Sequence, residues 1–304
     1  MEIRSHLDVR SEVARAVERG RPVVALESTV IAHGMPWPLN WQTATAAEAV
    51  IRDEGAVPAT IAVWHGKPTI GLSTAELETL AQSEGVFKAS RRDLGIAVSQ
   101  GLTAATTVAA TMFLAYHAGI PLFATGGIGG AHRETSPWDI SADLTELART
   151  PVAVVCAGAK SILDIPRTLE ILETQGVPVV GYGTSRFPAF YVHTSDEPVT
   201  ARVDTPQQAA ALLQAHWDLG GAGIVLAQPL ADKVALQPEA FWNALTTAEK
   251  QAVGGGVRGK ELTPFLLSRL ADITEGQTLK ANHALILSNA KLAAEVACAL
   301  AGRG

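Results

Sequence analysis

Cysteine is scarce in this chain of 304 residues: there are only two, Cys156 and Cys298. They lie far apart, the first in an apolar segment and the second in a helical pattern, so they do not form a disulfide framework. Cysteines placed in this way usually serve as small core residues. Because disulfides are rare in reducing compartments, this cysteine usage indicates a cytoplasmic protein.

A basic surplus is also missing. Lysine and arginine number 24 against 30 aspartate and glutamate residues, which gives a formal charge of −6. Nucleic-acid-binding proteins usually present a basic face, so we expect no nucleic-acid partner. No uninterrupted apolar stretch approaches the roughly 20 residues that span a bilayer. The amino-terminal segment is charged and unlike a secretory signal, so we expect no membrane partner either.

What the chain does contain is a regular alternation of strand-like and helix-like segments. Apolar strand patterns occupy 22–29, 58–64, 67–73, 120–125, 152–156, 177–182 and 223–228, and helical patterns occupy 40–55, 75–83, 104–118, 164–175, 206–219, 238–253, 263–274 and 279–300. Such alternation favours parallel strand pairing. We predict an α/β protein with an α/β/α layered arrangement around a largely parallel sheet. The helical carboxyl-terminal region would pack on it, within one domain over 1–304.

Lys160 is the first candidate for chemistry. It closes the apolar run 151–159, at the carboxyl end of a predicted strand. Open α/β sheets bind their ligands at this end of the strands. Desolvation there favours the free amine, which can attack a carbonyl group and form an imine. A solvated lysine at a strand end is the alternative, and one lysine without its context does not exclude it.

Glu27 is the second candidate, because it ends the first apolar strand. A carboxylate in such a position is costly unless it is paired or functional. Burial would raise its pKa, which suits a general acid. The neighbouring Ser28, Thr29 and His33 could instead simply satisfy its hydrogen bonds.

Asp139 and Asp143 are four residues apart, so they would share one face if a helix began here. Carboxylate oxygens suit Mg²⁺ or Mn²⁺. Capping of a helix start, with no metal, is an equally good interpretation of the spacing.

Three segments have features that are typical of anion-binding sites. The glycine turn 126–130 follows a strand and could offer its N–H groups. It is not the dinucleotide fingerprint, since His132 replaces the last glycine. The segment 254–260 resembles a P-loop, but Glu261 replaces the metal-binding Ser or Thr and a helix precedes it, so we reject that site. The basic cluster 88–94, beginning with Lys88, could bind a phosphate or form a solvated turn.

Together these segments resemble the pseudouridine-5′-phosphate glycosidase family. The matching motifs are ALESTVIAHGMP, GAVPATIAVW, KASRRDL, ATTVAATM, FATGGIGG followed by the pair HR, DISADLTEL, TPVAVVCAGAKSILDIPRTLE and TPFLL, with the segment from Asn282 to Asn289. The similarity extends from about Glu12 to Leu300.

The resemblance implies reversible cleavage of a C–C glycosidic bond, in which pseudouridine 5′-phosphate and water give uracil and ribose 5-phosphate. Lys160 would hold the opened ribose as a Schiff base, and Glu27 would protonate the ring oxygen. Asp139 would hold a divalent metal, Mn²⁺, in part through water. The substrate would contact Lys88 at its phosphate, and also Val108, His132, Ser141, Ala142, Asp143 and Asn282. The resemblance also implies a homotrimer.

One loop departs from the family pattern: the segment leading to Asp139 is short and carries Trp138. Tryptophan also occurs at Trp37, Trp41 and Trp64, in or beside family motifs, and such rings can stack on an aromatic base. Some relatives join ribose 5-phosphate to a larger aromatic acceptor in secondary metabolism, so a C-glycosynthase is the alternative activity. A catalytically inactive sugar-phosphate-binding protein is a third hypothesis, which the joint presence of the lysine and the acids disfavours.

Overall fold

The computed structural model describes residues 3–133, 139–257 and 262–302. In these ranges the strands are β1 (Asp8–Val9), β2 (Val23–Leu26), β3 (Val57–Trp64), β4 (Lys67–Ile70), β5 (Phe87–Ala89), β6 (Ala104–Thr106), β7 (Leu122–Ala124), β8 (Ala131–His132), β9 (Ala153–Cys156), β10 (Leu163–Asp164), β11 (Val179–Tyr182), β12 (Ala201–Val203) and β13 (Ile224–Ala227). Trp138, the end of the P-loop-like segment (258–260) and Glu261 lie outside the described ranges.

The α-helices of the same ranges are α1 (Ser11–Glu18), α2 (Leu39–Asp53), α3 (Thr74–Gln82), α4 (Leu94–Ser99), α5 (Val108–Ala118), α6 (Ala142–Leu147), α7 (Ile165–Thr174), α8 (Pro206–Asp218), α9 (Pro238–Gly254), α10 (Leu262–Ile273) and α11 (Gln277–Ala301). A π-helical turn, Val30–Gly34, and a 3-10 turn, Arg91–Asp93, join some of them.

The sheet is mixed but mainly parallel, as predicted. Its strands follow the order β1-β4-β3-β2-β7-β9-β13-β11-β12, and β5 and β6 extend it beside β3. Every pairing from β3 through to β12 is parallel, whereas β3 pairs antiparallel with both β4 and β6. Helices cover both faces of the sheet. Helix α5 and helix α11 both pack on the central strands β2 and β7. The predicted layered α/β fold is therefore confirmed.

The strand order reverses at the centre of the sheet. The chain leaves β2 for β3 on one side, whereas it leaves β7 for β9 on the other side. Neighbouring connections that diverge in this way open a crevice beyond the carboxyl ends of the strands. Residues that directly follow β2, β7 and β9 consequently meet at one place.

One helix prediction was wrong at its start. The segment 104–118 begins as strand β6, and helix α5 starts only at Val108. Pairing with β3 and β5 holds 104–106 extended, and the hydroxyl of Thr107 then caps the helix by accepting a hydrogen bond from the amide of Ala110. Alanine favours a helix locally, so the tertiary pairing overrides the local preference here.

The carboxyl-terminal helix α11 is long and apolar enough, by length and composition alone, to cross a membrane. Half of its apolar window is buried inside the protein, and the helix packs against α2, α8 and strands β2, β7 and β9. Buried side chains such as Leu285, Ala290 and Leu292 lie along it. It is therefore the core helix that the sequence pattern places on the sheet.

Candidate active site

A cavity of about 400 Å³ opens beyond the carboxyl ends of β2, β7 and β9. It is lined by the ten residues that the sequence analysis assigned to catalysis, substrate binding or metal binding: Glu27, Lys88, Val108, His132, Asp139, Ser141, Ala142, Asp143, Lys160 and Asn282. They come from segments up to 255 residues apart, and the fold brings them to one place. Their individual roles stay predictions.

Glu27 lies directly after β2 with only 5% of its surface exposed. The hydroxyl of Thr125 donates a hydrogen bond to Oε1, and the hydroxyl of Thr29 donates one to Oε2. Burial raises the pKa of Glu27, while the nearby charge of Lys160 and the two hydroxyl groups act in the opposite direction. The pKa is raised on balance, so the carboxyl group keeps its proton to a higher pH than an exposed glutamate does.

Of the three neighbours that could have satisfied Glu27, only Thr29 does so. Ser28 instead donates to the carbonyl oxygen of Ile61 at 2.7 Å, and it accepts from the amide of Thr106 at 2.8 Å. The hydrogen bonds that the described residues donate to the Glu27 carboxyl group come from Thr29 and Thr125, and His33 is not among these donors.

Lys160 is fixed in position by the backbone on either side of the glycine turn. The Ile128 amide donates to the Gly158 carbonyl at 3.0 Å, and the Lys160 amide donates to the Ile128 carbonyl at 3.1 Å. The β7–β9 pairing thus continues past the strands and carries Lys160 to the cavity wall. Its charge acts on Glu27, so the amine and the carboxyl group share one electrostatic environment.

Asp139 and Asp143 do not share a helix face, because no helix begins at Asp139. Helix α6 begins only at Ala142, with Ser141 as its cap, and Asp139 lies before it in extended chain that pairs with β8. The carbonyl of Asp139 accepts a hydrogen bond from the His132 amide at 2.9 Å. Pairing with β8 holds Asp139 in extended backbone, and this excludes it from the first turn of the helix.

Asp143 connects two parts of the site. Its Oδ1 accepts a hydrogen bond from the Ala109 amide at 2.9 Å, and its Oδ2 accepts one from the Gly129 amide at 2.8 Å. The carboxylate therefore ties the first turn of α5 to the glycine turn. This capping of a neighbouring helix matches the capping interpretation more closely than a shared metal site.

The cavity has a cationic end suited to a phosphate. Lys88 on β5 and Val108, the first residue of α5, both line it. In this first turn the amides of Ala109, Ala110 and Thr111 already donate hydrogen bonds within the protein. A helix amino terminus beside a lysine attracts an anion. Of the arginines that follow Lys88, Arg92 also lines the cavity.

A metal at Asp139 would depend on water or substrate for most of its ligands. Within the described residues, no three His, Cys, Asp or Glu side chains come together as a metal site. A second carboxylate of the cavity, Asp143, already accepts two backbone hydrogen bonds. One carboxylate with several waters is a coordination that hard divalent cations accept, so Asp139 fits such an ion.

Sequence reasoning missed several residues of the site. Phe190 lines the cavity in a left-handed conformation, φ +63°, and it packs against Gly127, where a Cβ would lie 2.7 Å from its ring. Asn289 is buried on α11 and donates to the carbonyl of Thr125 at 2.8 Å. The motif FATGGIGG signalled the glycine turn, but no local pattern announced the aromatic ring that packs on it.

The expected role of the tryptophans in stacking finds no support among the residues described. Trp37 and Trp41 contact each other with ring centroids 6.0 Å apart, and Trp64 packs on His65. None of the three lines the cavity; Phe190 does. Trp138 lies outside the described ranges.

Comparison with known proteins identifies what this chain resembles. The family model described as indigoidine synthase A like protein matches residues 12–299. The pseudouridine-5′-phosphate glycosidase of Caldanaerobacter subterraneus subsp. tengcongensis is 53% identical over 97% of this chain and 96% of its own length. Pseudouridine-5′-phosphate glycosidase 2 of Rhizobium johnstonii is also 53% identical, over 95% of this chain and 94% of its own.

A solved structure shares the whole fold. The prealnumycin C-glycosynthase AlnA, in complex with ribulose 5-phosphate, superposes with a TM-score of 0.90 at 40% identity and covers 98% of this chain and 97% of its own. An indigoidine synthase A-like protein from Thermotoga maritima superposes with a TM-score of 0.89 at 36% identity, over 97% of each chain.

Proposed function

The chain belongs to the family of indigoidine synthase A like proteins, and we propose that it is a pseudouridine-5′-phosphate glycosidase. It cleaves the C–C glycosidic bond of pseudouridine 5′-phosphate reversibly, giving uracil and ribose 5-phosphate. The observation that carries this proposal is that Lys160, Glu27 and Lys88 line one cavity. Full-length relatives with this name, at 53% identity, support it.

The cavity orients the substrate by its charge. The phosphate group binds at Lys88 and the first turn of α5, where a cation and a helix amino terminus both favour an anion. The sugar C1 then lies toward Lys160, which follows β9, and Glu27, which follows β2. These two strands lie on either side of β7 in the sheet. The base occupies the remaining wall, which includes Phe190 and Asn282.

The reaction needs an electron sink, because the leaving atom of the base is carbon rather than oxygen or nitrogen. The free amine of Lys160 forms a bond to C1, the bond from C1 to the ring oxygen breaks, and Glu27 gives its proton to that oxygen. The nitrogen, now an ammonium, loses a proton to the Glu27 carboxylate and so regains its lone pair. This lone pair forms a C=N bond as the C1–base bond breaks, and the electrons of the C1–base bond go to the base carbon, which takes the proton from Glu27. Water hydrolyses the resulting Schiff base, which frees ribose 5-phosphate and the Lys160 amine.

Burial gives Glu27 the protonation that the first step requires. Its raised pKa keeps a proton available at a pH where an exposed glutamate would be ionised. Once it has given this proton, the carboxylate is stabilised by Thr29, Thr125 and the charge of Lys160, so it can take a proton back from the amine.

Three further features belong to this proposal. Asp139 holds a divalent metal, Mn²⁺, which would polarise and orient a substrate oxygen when it is bound. The protein assembles as a homotrimer, as the family resemblance implies. It acts in the cytoplasm, in keeping with its two unpaired cysteines.

A C-glycosynthase activity is the second candidate, favoured by the similarity to AlnA. One experiment separates the two. The purified protein is incubated with Mn²⁺ and ribose 5-phosphate, with uracil in one reaction and a polycyclic aromatic in the other, and product masses are measured. Pseudouridine 5′-phosphate in the first reaction alone supports the glycosidase, whereas product in the second alone identifies a C-glycosynthase.

The Schiff base has its own test. Borohydride added in the presence of ribose 5-phosphate should attach the sugar phosphate covalently, and peptide mass mapping should locate it on Lys160. The Lys160→Ala variant should show no adduct and no turnover. Lys67→Ala, which removes an exposed lysine outside the cavity, is the matched control and should behave as wild type. An adduct retained in Lys160→Ala would refute the assignment.

A further inference from the structure

An ion pair lies beside the active-site cavity, and no step of the proposed reaction uses it. Arg91, in the 3-10 turn Arg91–Asp93, donates from Nη1 to both carboxylate oxygens of Glu146 on helix α6, at 3.0 and 2.9 Å. Only 3% of the Glu146 side chain is exposed. The hydroxyl of Thr150 also donates to this carboxylate. Neither member of the pair lines the cavity, so its effect on a ligand would be indirect.

The pair belongs to a closed frame of three elements. The guanidinium carbon of Arg91 lies 4.3 Å from the centroid of the Phe113 ring, so Arg91 contacts helix α5 as well as α6. Helix α6 returns to α5 through Asp143, which accepts the Ala109 amide, and the same carboxylate accepts the Gly129 amide of the glycine turn. The 3-10 turn, α5 and α6 are therefore held to one another by side chains.

Each element of this frame contributes residues to the cavity. They surround its phosphate end, where Lys88 lies, and they are Ser90, Arg92 and Asp93 from the turn and its cap, Val108 from α5, and Ala142 and Asp143 from α6. The distances across the phosphate end consequently depend on how the turn sits against the two helices. Arg91 is the residue of the turn that contacts both helices.

Stability alone is a poor reason for such a pair. Desolvation of two buried charges offsets most of their attraction, and apolar residues of similar volume often stabilise a fold as well or better. Buried ion pairs do select one arrangement among several, because a displaced partner leaves an uncompensated charge. The position of Glu146 and Arg91 between three cavity-lining segments makes this arrangement relevant to binding.

We infer that Arg91 and Glu146 are positioning residues for the substrate, which fix the turn Arg91–Asp93 against α5 and α6 and so set the geometry of the phosphate-binding end. The inference rests on the proposed function for the identity of the ligand as a sugar phosphate.

Two variants that change the charge in opposite directions test the inference. Arg91→Gln removes a cation near the phosphate end, whereas Glu146→Gln removes an anion and keeps the shape of the side chain. If only charge mattered, the first variant would bind a phosphate more weakly and the second more tightly. If the pair positions the turn, both should bind inorganic phosphate and ribose 5-phosphate about fivefold more weakly, as when one hydrogen bond to the ligand is lost. Calorimetry in the Lys160→Ala background, where no covalent adduct forms, measures the dissociation constants.

Two further variants serve as checks. The double variant Arg91→Gln/Glu146→Gln should bind no more weakly than either single variant, because the two residues act as one unit. Arg52→Gln breaks the ion pair between Arg52 and Glu12, which lies outside the cavity, and it should leave both dissociation constants unchanged. Urea unfolding establishes the conditions in which each variant is folded, and Glu146→Gln decides the question by itself if Arg91→Gln does not fold.

Two results would overturn the inference. Lower stability with unchanged dissociation constants would mean that the pair only stabilises the fold. Tighter binding of phosphate by Glu146→Gln would mean that charge alone acts on the ligand.

Turnover gives an independent measure in the protein that retains Lys160. Glu146→Gln should raise KM for pseudouridine 5′-phosphate about fivefold and leave kcat and its pH dependence unchanged, because other contacts hold Glu27 and Lys160. A fall in kcat at unchanged KM would contradict the positioning role. A wild type that does not turn over this substrate refutes the glycosidase, whereas the two dissociation constants still decide the role of the ion pair.

Discussion

At the level of single residues, the chemistry depends on where protons reside. Glu27 is surrounded by two hydroxyl donors and shares its cavity with Lys160, but burial dominates and raises its pKa. An acid with a raised pKa can donate a proton at neutral pH, and its conjugate base can recover one. Protonated Glu27 also contributes to stability below the ordinary pKa of glutamate, and this contribution is lost as the pH rises through the pKa of the folded state.

The pH dependence of cleavage should report this group. Because Glu27 donates as an acid, kcat for cleavage should fall as the pH rises through its raised pKa, above the ordinary glutamate range. Glu27→Gln, which has no proton to give, should lose about 100-fold or more in kcat. Steady-state kinetics across the pH range measures both, and a profile of cleavage with no such fall would contradict the assignment.

The two threonines that hydrogen-bond to Glu27 should affect the pH at which kcat falls. Each hydroxyl lowers the pKa of the carboxyl group, so Thr29→Val or Thr125→Val should move the fall in kcat to a higher pH. The corresponding serine variants keep the hydroxyl group and should restore the wild-type profile. If kcat falls at the wild-type pH in both valine variants, these hydrogen bonds do not affect the pKa of the proton donor.

Asp143 should be more important for structure than for charge. Asn in its place can accept from only one of the two amides, so Asp143→Asn should destabilise the protein by about 1–3 kcal/mol. It should also raise KM, because the first turn of α5 would no longer be tied to the glycine turn. Urea unfolding measures the stability, and exposed Asp53→Asn is the control. Equal stability of the two variants would refute the connecting role.

At the level of elements, the site is built by the turns that follow parallel strands. The segment after β9 must pass close to other backbone, and glycine makes this possible. Gly158 has φ +87°, and a Cβ there would lie 2.1 Å from the carbonyl oxygen of Pro188. The close approach and the left-handed backbone together explain why a glycine stands two residues before Lys160.

Gly158→Ala should therefore be much worse than a comparable change elsewhere. Gly85 also has a positive φ, +69°, but a Cβ added there would have no other atom within 4 Å. Gly85→Ala should cost only the left-handed strain of about 1–2 kcal/mol. Gly158→Ala should cost more than this and should abolish most turnover, since Lys160 would move with the backbone. Denaturant unfolding and activity assays of both variants check this, and equal losses would refute it.

Some element boundaries could be read from the sequence and others could not. The hairpin of β3 and β4 was predictable because His65 and Gly66 stand between two apolar runs, and both have positive φ in the structure. The start of α5 was not, because 104–106 is held extended by β3 and β5, which are distant in sequence. Whether a helix begins at Asp139 could not be decided from the sequence either, because pairing with β8 holds this residue in extended backbone.

At the level of the whole molecule, one cluster of buried side chains extends from Val13 on α1 to Ala297 on α11. A second, smaller cluster surrounds α3. Helix α11 contributes Asn282 to the cavity and Asn289 beneath it, so the carboxyl-terminal region belongs to the active site as well as to the core.

The continuous core leads to a prediction about unfolding. At a fixed protein concentration, unfolding monitored by tryptophan fluorescence and by far-ultraviolet circular dichroism should give coincident transitions, as expected for one cooperative unit. The tryptophans report both halves of the chain, from Trp37 to Trp242. Two separated transitions would contradict the prediction of one domain over 1–304.

The sequence by itself determined the layered α/β class, the family and the residues that gather in the cavity. The fold class follows from apolar runs of strand length that alternate with helical patterns. The family, and most of the cavity residues, follow from motifs that resemble those of a known family. Only the tertiary structure decided which groups touch. The hydrogen bonds from Thr125 to Glu27, from Asn289 to Thr125, and from two distant amides to Asp143 join residues far apart in the chain. The sequence also could not show that Nε2 of His33 has no partner among the described residues, because side-chain packing, which no local pattern specifies, decides whether a buried polar atom is paired.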